Sequence, residues 1–443
     1  MPISFTELDP SLGGTTINED VNSGALFFND EIPNILGLPV WVTATAYVLN
    51  DIVYDAVGKQ YYICVLAHTS GATIAGDLAT KWDEYTNTQK LYTGISELEA
   101  DGINSLVTNT SWKDEYYQVQ SLFNMNINAK LYTNIFPVPA VSYTFEEIYN
   151  AQIQADGKIR QMFVFANEDA LSTANVIKIQ EVLNRLDAEN MPLFVVYGPK
   201  TSTSFATVAS LPDLTELATS CPDVHVLIGQ DGAGKGFTLS PVDNPAVGAL
   251  VGSISKGKVN ENPAWIGGYD YRLNDDLDTV ILTNGLAIKG MSISDLALLN
   301  NKGYGYFYRE NGKIGTYLKQ AYTCDKKRII NGTEQVRQLI PYRRTMHKVK
   351  RQVRLALLPY VNYSFEVTTS GKLASTSVSL ISGILNNVLG SMKSAGELNS
   401  YSFNIDQTNN VIADQTIFIS IKLVPFAYAK EMEITLQYAI INS

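Results

Sequence analysis

The feature that most limits what this chain can fold into is the alternation in its closing stretch. From Thr416 to Leu423, Ile417, Ile419, Ile421 and Leu423 fall on one face, and Thr416, Phe418, Ser420 and Lys422 on the other. A period of two is the repeat of a strand. After Pro425 the pattern resumes at Glu431, with Met432, Ile434, Leu436, Tyr438 and Ile440 opposed to Glu433, Thr435, Gln437 and Ala439. Strands with one apolar face must find a sheet, because their ladder groups and their side chains are both costly to leave unpaired. That sheet belongs either to the same domain or to another copy of the protein, joined by strand addition. Periodicity leaves both open.

With 443 residues, 45% of them hydrophobic, the chain can support roughly two to four domains, each with its own core. Its three cysteines, Cys64, Cys221 and Cys324, are too few and too scattered for a disulfide framework and suit a reducing compartment. The segment MPISFTELDP is not a signal peptide, and no run approaches the roughly 18 apolar residues of a membrane span. A soluble, unexported protein is expected, which makes the N-x-S/T triplets at Asn109, Asn331 and Asn362 chance matches. A net charge of -11 argues against general affinity for nucleic acid or anionic membrane. Between Lys326 and Arg354, however, ten Lys and Arg face the single acid Glu334. A basic segment in an acidic protein suits self-association.

Four regions follow from the patterning. Residues 1–37 read as an extended amino-terminal arm leading into a first core strand, with turn signals at Gly13-Gly14 and Asp20–Gly24 and short strand candidates such as Ala25–Phe28. Residues 38–90 hold short aromatic strands between Gly and Asn turns, a small β module. Residues 91–325 alternate apolar strands at Gln161–Ala166, Leu193–Tyr197 and Val224–Ile228 with helices, one of them carrying Val176, Ile179, Leu183 and Leu186. This order predicts an α/β domain, with α+β character for the whole chain. Residues 326–443 carry two helices and the closing strands. The first, Pro341–Tyr360, has the apolar stripe Tyr342, Met346, Val349, Val353 and Leu357 beside a basic flank that includes Arg343, Arg344, Lys348, Arg351 and Arg354. This flank reads either as a solvated face of a surface helix or, because no acid on the helix pairs with it, as a match for an acidic partner surface. The second holds Val378, Ile381, Leu385, Val388 and Met392 inward, with Ser375 or Thr376 as its cap.

No catalytic or metal constellation emerges. Gly229, Gly234 and Lys235 match G-x-x-x-x-G-K, but Gly236 stands where a magnesium-binding Ser or Thr belongs, and Phe237–Asn244 does not read as the helix a phosphate cradle needs. A flexible surface turn is expected there. His68, His225 and His347 stand alone apart from Cys64-x3-His68, and no G-x-S-x-G occurs. No cofactor is predicted.

Two resemblances add to this reading. W-x5-Y-x3-D-x-V-Y from Trp41, then Tyr61-Tyr62 and Trp82, resembles the chitin-binding type 3 modules, in which exposed aromatics stack on sugars. That likeness nominates Trp41, Tyr62 and Trp82, although rings in so small a domain also serve as its core. The succession Y-S-F-N-I-D-Q-T-N-N, I-F-I-S-I-K-L-V-P and A-K-E-M-E-I-T-L-Q-Y, behind an arginine-rich helix, resembles the carboxy-terminal domain of contractile tail sheath proteins. Upstream, L-E-A-D-G-I and W-K-D-E-Y-Y-Q-V-Q-S-L-F resemble the same family, with residues 40–85 as an insertion. The resemblance implies a sheath-type core with terminal arms, rings stacked helically around an inner tube, and contraction without nucleotide. It implies as partners other copies, the tube protein, and baseplate and terminator proteins, in a virion tail or injection particle assembled in the bacterial cytoplasm. It assigns strand exchange to Glu433, Ile434, Thr435, Leu436, Gln437 and Tyr438, and an outer position to the insertion. The rival readings are a carbohydrate-binding fibre or adhesin and a P-loop enzyme.

Overall fold

Asn22–Phe28 forms the first strand, β1, and all seven of its residues are buried. The computed structural model describes residues 19–104, 112–272, 276–326, 329–330, 333–334 and 339–429. Residues 1–18 of the expected arm therefore lie outside the described residues. β1 sits inside a six-stranded sheet, parallel to a strand on either side. Its polar start hides this in the sequence. Asn22 Nδ2 donates to the Lys158 carbonyl at 3.2 Å, and Gln161 Nε2 donates to Ser23 Oγ at 3.0 Å, so the buried polar groups are satisfied.

The aromatic region folds as β2 (Ala46–Tyr47), β3 (Ile52–Asp55), β4 (Gln60–Cys64), β5 (His68–Thr69), helix α1 (Leu78–Lys81) and β6 (Trp82–Glu84). β3, β4 and β6 form one antiparallel sheet, and β2 pairs with β5. Its strands face two ways. Tyr47, Val53, Cys64, Ile74 and Trp82 make a small core of their own. Tyr54 and Tyr61 turn instead into the main core, donating to the carbonyls of Ile32 and Pro33, each at 2.8 Å.

The main sheet is completed by β7 (Lys90–Tyr92), β8 (Lys130–Phe136), β9 (Gln161–Ala170), β10 (Phe194–Lys200) and β11 (Val224–Val226), in the order β11-β10-β9-β1-β8-β7. All neighbours are parallel except β7 against β8. Intervening helices are α2 (Ile95–Ala100), α3 (Lys113–Met125), α4 (Glu146–Gln154) and α5 (Thr173–Ala188). In α5 the residues predicted from spacing, Val176, Ile179, Leu183 and Leu186, are all buried, and Ser172 Oγ caps the helix by accepting from the Asn175 N–H at 3.1 Å.

Then come β12 (Gly229–Asp231), α6 (Lys235–Leu239), α7 (Val247–Lys256), β13 (Val280–Leu282) and α8 (Ile293–Asn301). They are followed by two hairpins, β14 (Phe307–Tyr308) with β15 (Tyr317–Leu318) and β16 (Ile329–Ile330) with β17 (Thr333–Glu334). The described residues up to Lys258, with Pro263–Ile340, make one unit; Val259–Asn262, with the described residues from Pro341 onward, make a second. The second contains α9 (Ile340–Leu357, entered from the first unit), α10 (Ser375–Ser394), β18 (Ser400–Ile405), α11 (Val411–Asp414) and β19 (Ile419–Val424). The fold is α+β overall, with one mixed main sheet and several small ones, as the sequence predicts.

Candidate functional site

In the second unit, two helices carry a two-stranded hairpin. Val349, Val353 and Leu357 recur every four residues on α9 and pack with Ile381, Leu385, Leu389 and Met392 of α10. Met346, expected in the apolar stripe, is exposed instead, and Leu389 rather than Val388 completes the stripe of α10. The cap of α10 also departs from expectation. Ala374 occupies that position, Thr376 bonds Glu366, and Ser377 Oγ donates to the Glu366 carbonyl at 3.0 Å.

Five cations of α9 were nominated as a contact surface, and the structure separates them. Arg344 is buried at 4% exposure and does not belong to an open face. Lys348 Nζ lies 2.6 Å from Glu397 Oε1, with both side chains largely buried, so its acid partner is supplied from just beyond α10. A helix-only reading cannot see that pairing, because the acid is 49 residues away. Arg343 and Arg351 are half-buried, and Arg354 is exposed in the last turn, where the helix dipole favours a cation.

β18 and β19 pair antiparallel from Ser400 opposite Val424 to Ile405 opposite Ile419. The alternation predicted for this strand holds: Ile419, Ile421 and Leu423 turn toward the helices, while Ser420 and Lys422 are exposed. Ile417 joins the same core ahead of the ladder. Among the described residues no third strand pairs with either edge. A two-stranded sheet is marginal alone and leaves edge groups open for another strand. The nominated strand-exchange residues Glu433, Ile434, Thr435, Leu436, Gln437 and Tyr438 lie outside the described residues. Just before them, Tyr428 packs its ring on Tyr342 at 5.5 Å between centroids and donates its hydroxyl to the Asn260 carbonyl. The last described residues thus lie against the first turn of α9.

The remaining motifs resolve differently from their sequence reading. Gly229–Asp231 is no surface turn: it is buried strand β12, paired with β13, and it is followed by a helix, α6, which sequence reasoning did not expect. The helix has only five residues. Asp276 accepts from the Lys235 N–H at 3.0 Å, while Asp231 accepts from the Ala233 N–H at 3.3 Å and the Phe237 N–H at 3.3 Å. Carboxylates already occupy the place of a phosphate, so the loop is satisfied internally.

Cys64, His68 and Asp77 line up as a relay, with Sγ 3.8 Å from Nδ1 and Nε2 3.8 Å from Oδ2. The imidazole Nδ1 lies only 2.7 Å from the Leu66 carbonyl, however, which requires a proton on Nδ1 and leaves it unable to accept one from sulfur. Burial also pushes the Cys64 thiol up, away from the thiolate. All three cysteines are buried free thiols. Of the nominated sugar-stacking rings, Trp82 is 2% exposed and packs edge-on against Tyr47, so it is core; Trp41 and Tyr62 are half-buried. Among the described residues no group of three His, Cys, Asp or Glu converges on a metal position, and no helix is long and apolar enough to cross a membrane.

Residues 338–443 match the DUF2586 C-terminal domain family. Over nearly its whole length the chain shares its fold with a chain of the anti-feeding prophage baseplate, at 13% identity and TM-score 0.53, covering 99% of each. The anti-feeding prophage helical sheath in its contracted state gives 12% identity and TM-score 0.51, over 99% of this chain and 98% of that one. The contracted PVC sheath of an extracellular contractile injection system gives 13% and 0.52, over 80% and 87%. No curated protein matches the sequence.

Proposed function

We propose that this chain is a structural subunit of a contractile sheath, polymerising with copies of itself into a helical array around an inner tube. The observation that carries this is the end-to-end correspondence of fold with a contracted helical sheath subunit, which leaves almost none of either chain unmatched. A head-to-tail contact that does not close on itself generates such an array. The open edges of the β18–β19 hairpin, with the alternating apolar residues of 431–443 following, supply the means: a strand from one subunit completes the hairpin of the next. Each ladder bond contributes about 1 kcal/mol net, so a strand of several bonds with a buried apolar face makes a durable link. No nucleotide is needed, since an extended sheath can store the energy of assembly and release it on contraction. The tube protein, a baseplate and a terminator are the expected partners, in a phage tail or tail-like particle assembled in the bacterial cytoplasm, with no role for nucleic acid or membrane. The outer face of α9, with Arg343, Arg351 and Arg354, meets an acidic surface of the tube or a neighbouring subunit.

Negative-stain microscopy of the chain co-expressed with its tube, intact and lacking residues 431–443, tests this. Rods or stacked rings are expected for the intact chain and are lost on truncation. Dispersed monomers from the intact chain beside formed tubes overturn the sheath assignment.

The resemblance of residues 40–85 to chitin-binding type 3 domains rests on the sequence order of their aromatic residues. A sugar-stacking role falls to Trp41 and Tyr62, Trp82 being internal. Retention of the intact chain on chitin, reduced at least about tenfold by Trp41→Ala, is the expected result for a glycan-binding insertion; no retention leaves it a decoration.

A further inference from the structure

At the carboxyl ends of the parallel strands lies an open cleft of about 900 Å³. β8 and β9 flank β1, so the connections leaving these strands diverge and open a crevice, the position at which open α/β sheets ordinarily hold a ligand. Such crevices commonly present backbone N–H groups to anions. This one does the opposite. Its lining carries six carboxylates, Asp30, Glu31, Asp114, Glu115, Glu168 and Asp169, and no Lys, Arg or His among the described residues.

Two buried groups in the lining are left unfinished. Glu115 is 4% exposed, and its Oε1 accepts from Asn29 Nδ2 at 2.7 Å, while its Oε2 has no partner. Tyr143 is 7% exposed, feels the charges of Asp169, Glu168 and Asp30, and its hydroxyl has no partner either. Asp169, by contrast, is complete: Asn175 Nδ2 donates to both of its oxygens, at 2.8 and 3.0 Å, and the Tyr197 hydroxyl donates to one. A buried carboxylate oxygen and a buried hydroxyl without partners each carry a cost that a donor-rich ligand removes. Because no three ligating groups converge on a metal position among the described residues, the complement is an organic cation with several N–H donors.

We propose that this cleft receives a guanidinium or ammonium group carried by a second copy of this chain, with Arg354 at the exposed end of α9 as the donor. The proposal rests on the sheath reading for its source of ligand, not for the site itself. Charge complementarity selects the source: the segment Lys326–Arg354 holds ten cations against one acid in a chain whose net charge is -11. Arg354 is also exposed, unlike the buried Arg344 and the Glu397-bound Lys348. A planar guanidinium suits the site better than a point charge, since it satisfies several acceptors at once.

Binding must respond to pH. Burial holds the Glu115 carboxyl up at about 8, and burial together with Glu168 holds Asp114 at about 6. The groups around them are Asn29, Asp30 and Glu31 beyond β1, Tyr143 beyond β8, and Glu168 and Asp169 on β9. The nearby cations are Lys113, which opposes the rise at Asp114, Lys178, bonded to the Tyr143 carbonyl, and Lys200, paired with Glu168. A cation binds the ionised form, so affinity rises as pH passes upward through 6 to 8.

Two arms test the proposal with the full chain. In the first, Nα-acetyl-arginine methylamide and its neutral citrulline counterpart are titrated into unassembled protein and followed by NMR at pH 6 and pH 9. The arginine compound is expected to bind, more tightly at pH 9, with affinity reduced about tenfold or more by Glu115→Gln or Tyr143→Phe. Equal binding of both compounds, or binding of neither, overturns the cleft as a cation site. In the second arm, Asp30→Arg and Arg354→Asp are each expected to reduce rod formation on tubes, and the double exchange to restore it. Arginine binding without restoration overturns the second copy as the source. If the intact chain forms no rods at all, the sheath reading fails while the first arm still decides the cleft.

Discussion

Gly248→Ala should destabilise the protein by about 3 kcal/mol or more, although alanine is the better helix former by about 1 kcal/mol. A Cβ at Gly248 would lie 1.9 Å from the carbonyl oxygen of Gln118 and 2.7 Å from its carbonyl carbon. One turn further on, a Cβ at Gly252 would lie 2.5 Å from the Leu122 oxygen. These are backbone atoms of α3, so no rotamer change can relieve the overlap. α7 would have to move away from α3, pulling its buried apolar residues out of van der Waals contact. The same displacement breaks a polar clasp. Gln118 Oε1 accepts from the Gly248 N–H at 2.9 Å, and its Nε2 donates to Asn244 Oδ1 at 2.8 Å and to the Pro245 carbonyl at 2.9 Å. Urea denaturation of Gly248→Ala should show a large fall in midpoint. Gly383→Ala is the control. Gly383 sits on α10 with nothing within 4 Å of its Cβ position, so only the propensity term acts and the variant should gain up to about 1 kcal/mol. A Gly248→Ala variant as stable as the parent would show that α3 and α7 do not meet backbone to backbone.

The second large effect is a loss of stability in acid centred on His225. The ring is fully buried; Nδ1 bonds the Tyr322 carbonyl, and Nε2 has no partner. Gly305 closes over Nε2 so tightly that a Cβ there would stand 2.2 Å from it. A second ring proton would point into a space without an acceptor, and burial accordingly pushes the imidazole from its ordinary 6.5 down to about 4. The unfolded chain takes up this proton near pH 6.5, whereas the folded chain resists until about pH 4. His225 therefore costs nothing above pH 6.5 and removes stability as pH falls from 6.5 toward 4, by about 3 kcal/mol in all.

Glu115 works against it. Its carboxyl is raised to about 8 from 4.5, so the folded state binds a proton before the unfolded one and gains stability as pH falls through that window. The two slopes oppose each other where they overlap, and the parent curve alone hides both. Unfolding free energies of the parent and of His225→Gln, measured between pH 7.5 and pH 4, isolate the histidine in their difference. The variant should lose less stability in acid, with the divergence beginning near pH 6.5. Parallel curves would show that His225 titrates alike in both states.

How legible the molecule was varies by element. The strands at Gln161, Leu193 and Val224, the helix around Ile179 and the hairpin strand at Ile419 announce themselves through periodicity, because each buries one continuous apolar set. β1 announces only its apolar end, Ala25–Phe28, since the partners of its polar start, Asn22 and Ser23, are Lys158 and Gln161, more than a hundred residues away. Trp82 looks like a sugar platform until its burial against Tyr47 is seen, and Lys348 looks unpaired until Glu397 arrives. Gly229–Asp231 carries turn residues, yet the chain holds it as a strand because β13 offers a ladder.

By itself, then, the sequence determined the apolar strands at Gln161, Leu193 and Val224, the helix around Ile179, where the basic helix lies and that the closing stretch must pair with a sheet. These follow from local spacing of apolar and charged side chains, which is written along the chain. Only the tertiary structure decided which cations stay exposed, that two glycines let α3 and α7 touch, that His225 has no second partner, and that six carboxylates from three separate segments share one cleft. Those properties depend on distances between residues far apart in the chain, and folding alone brings them together.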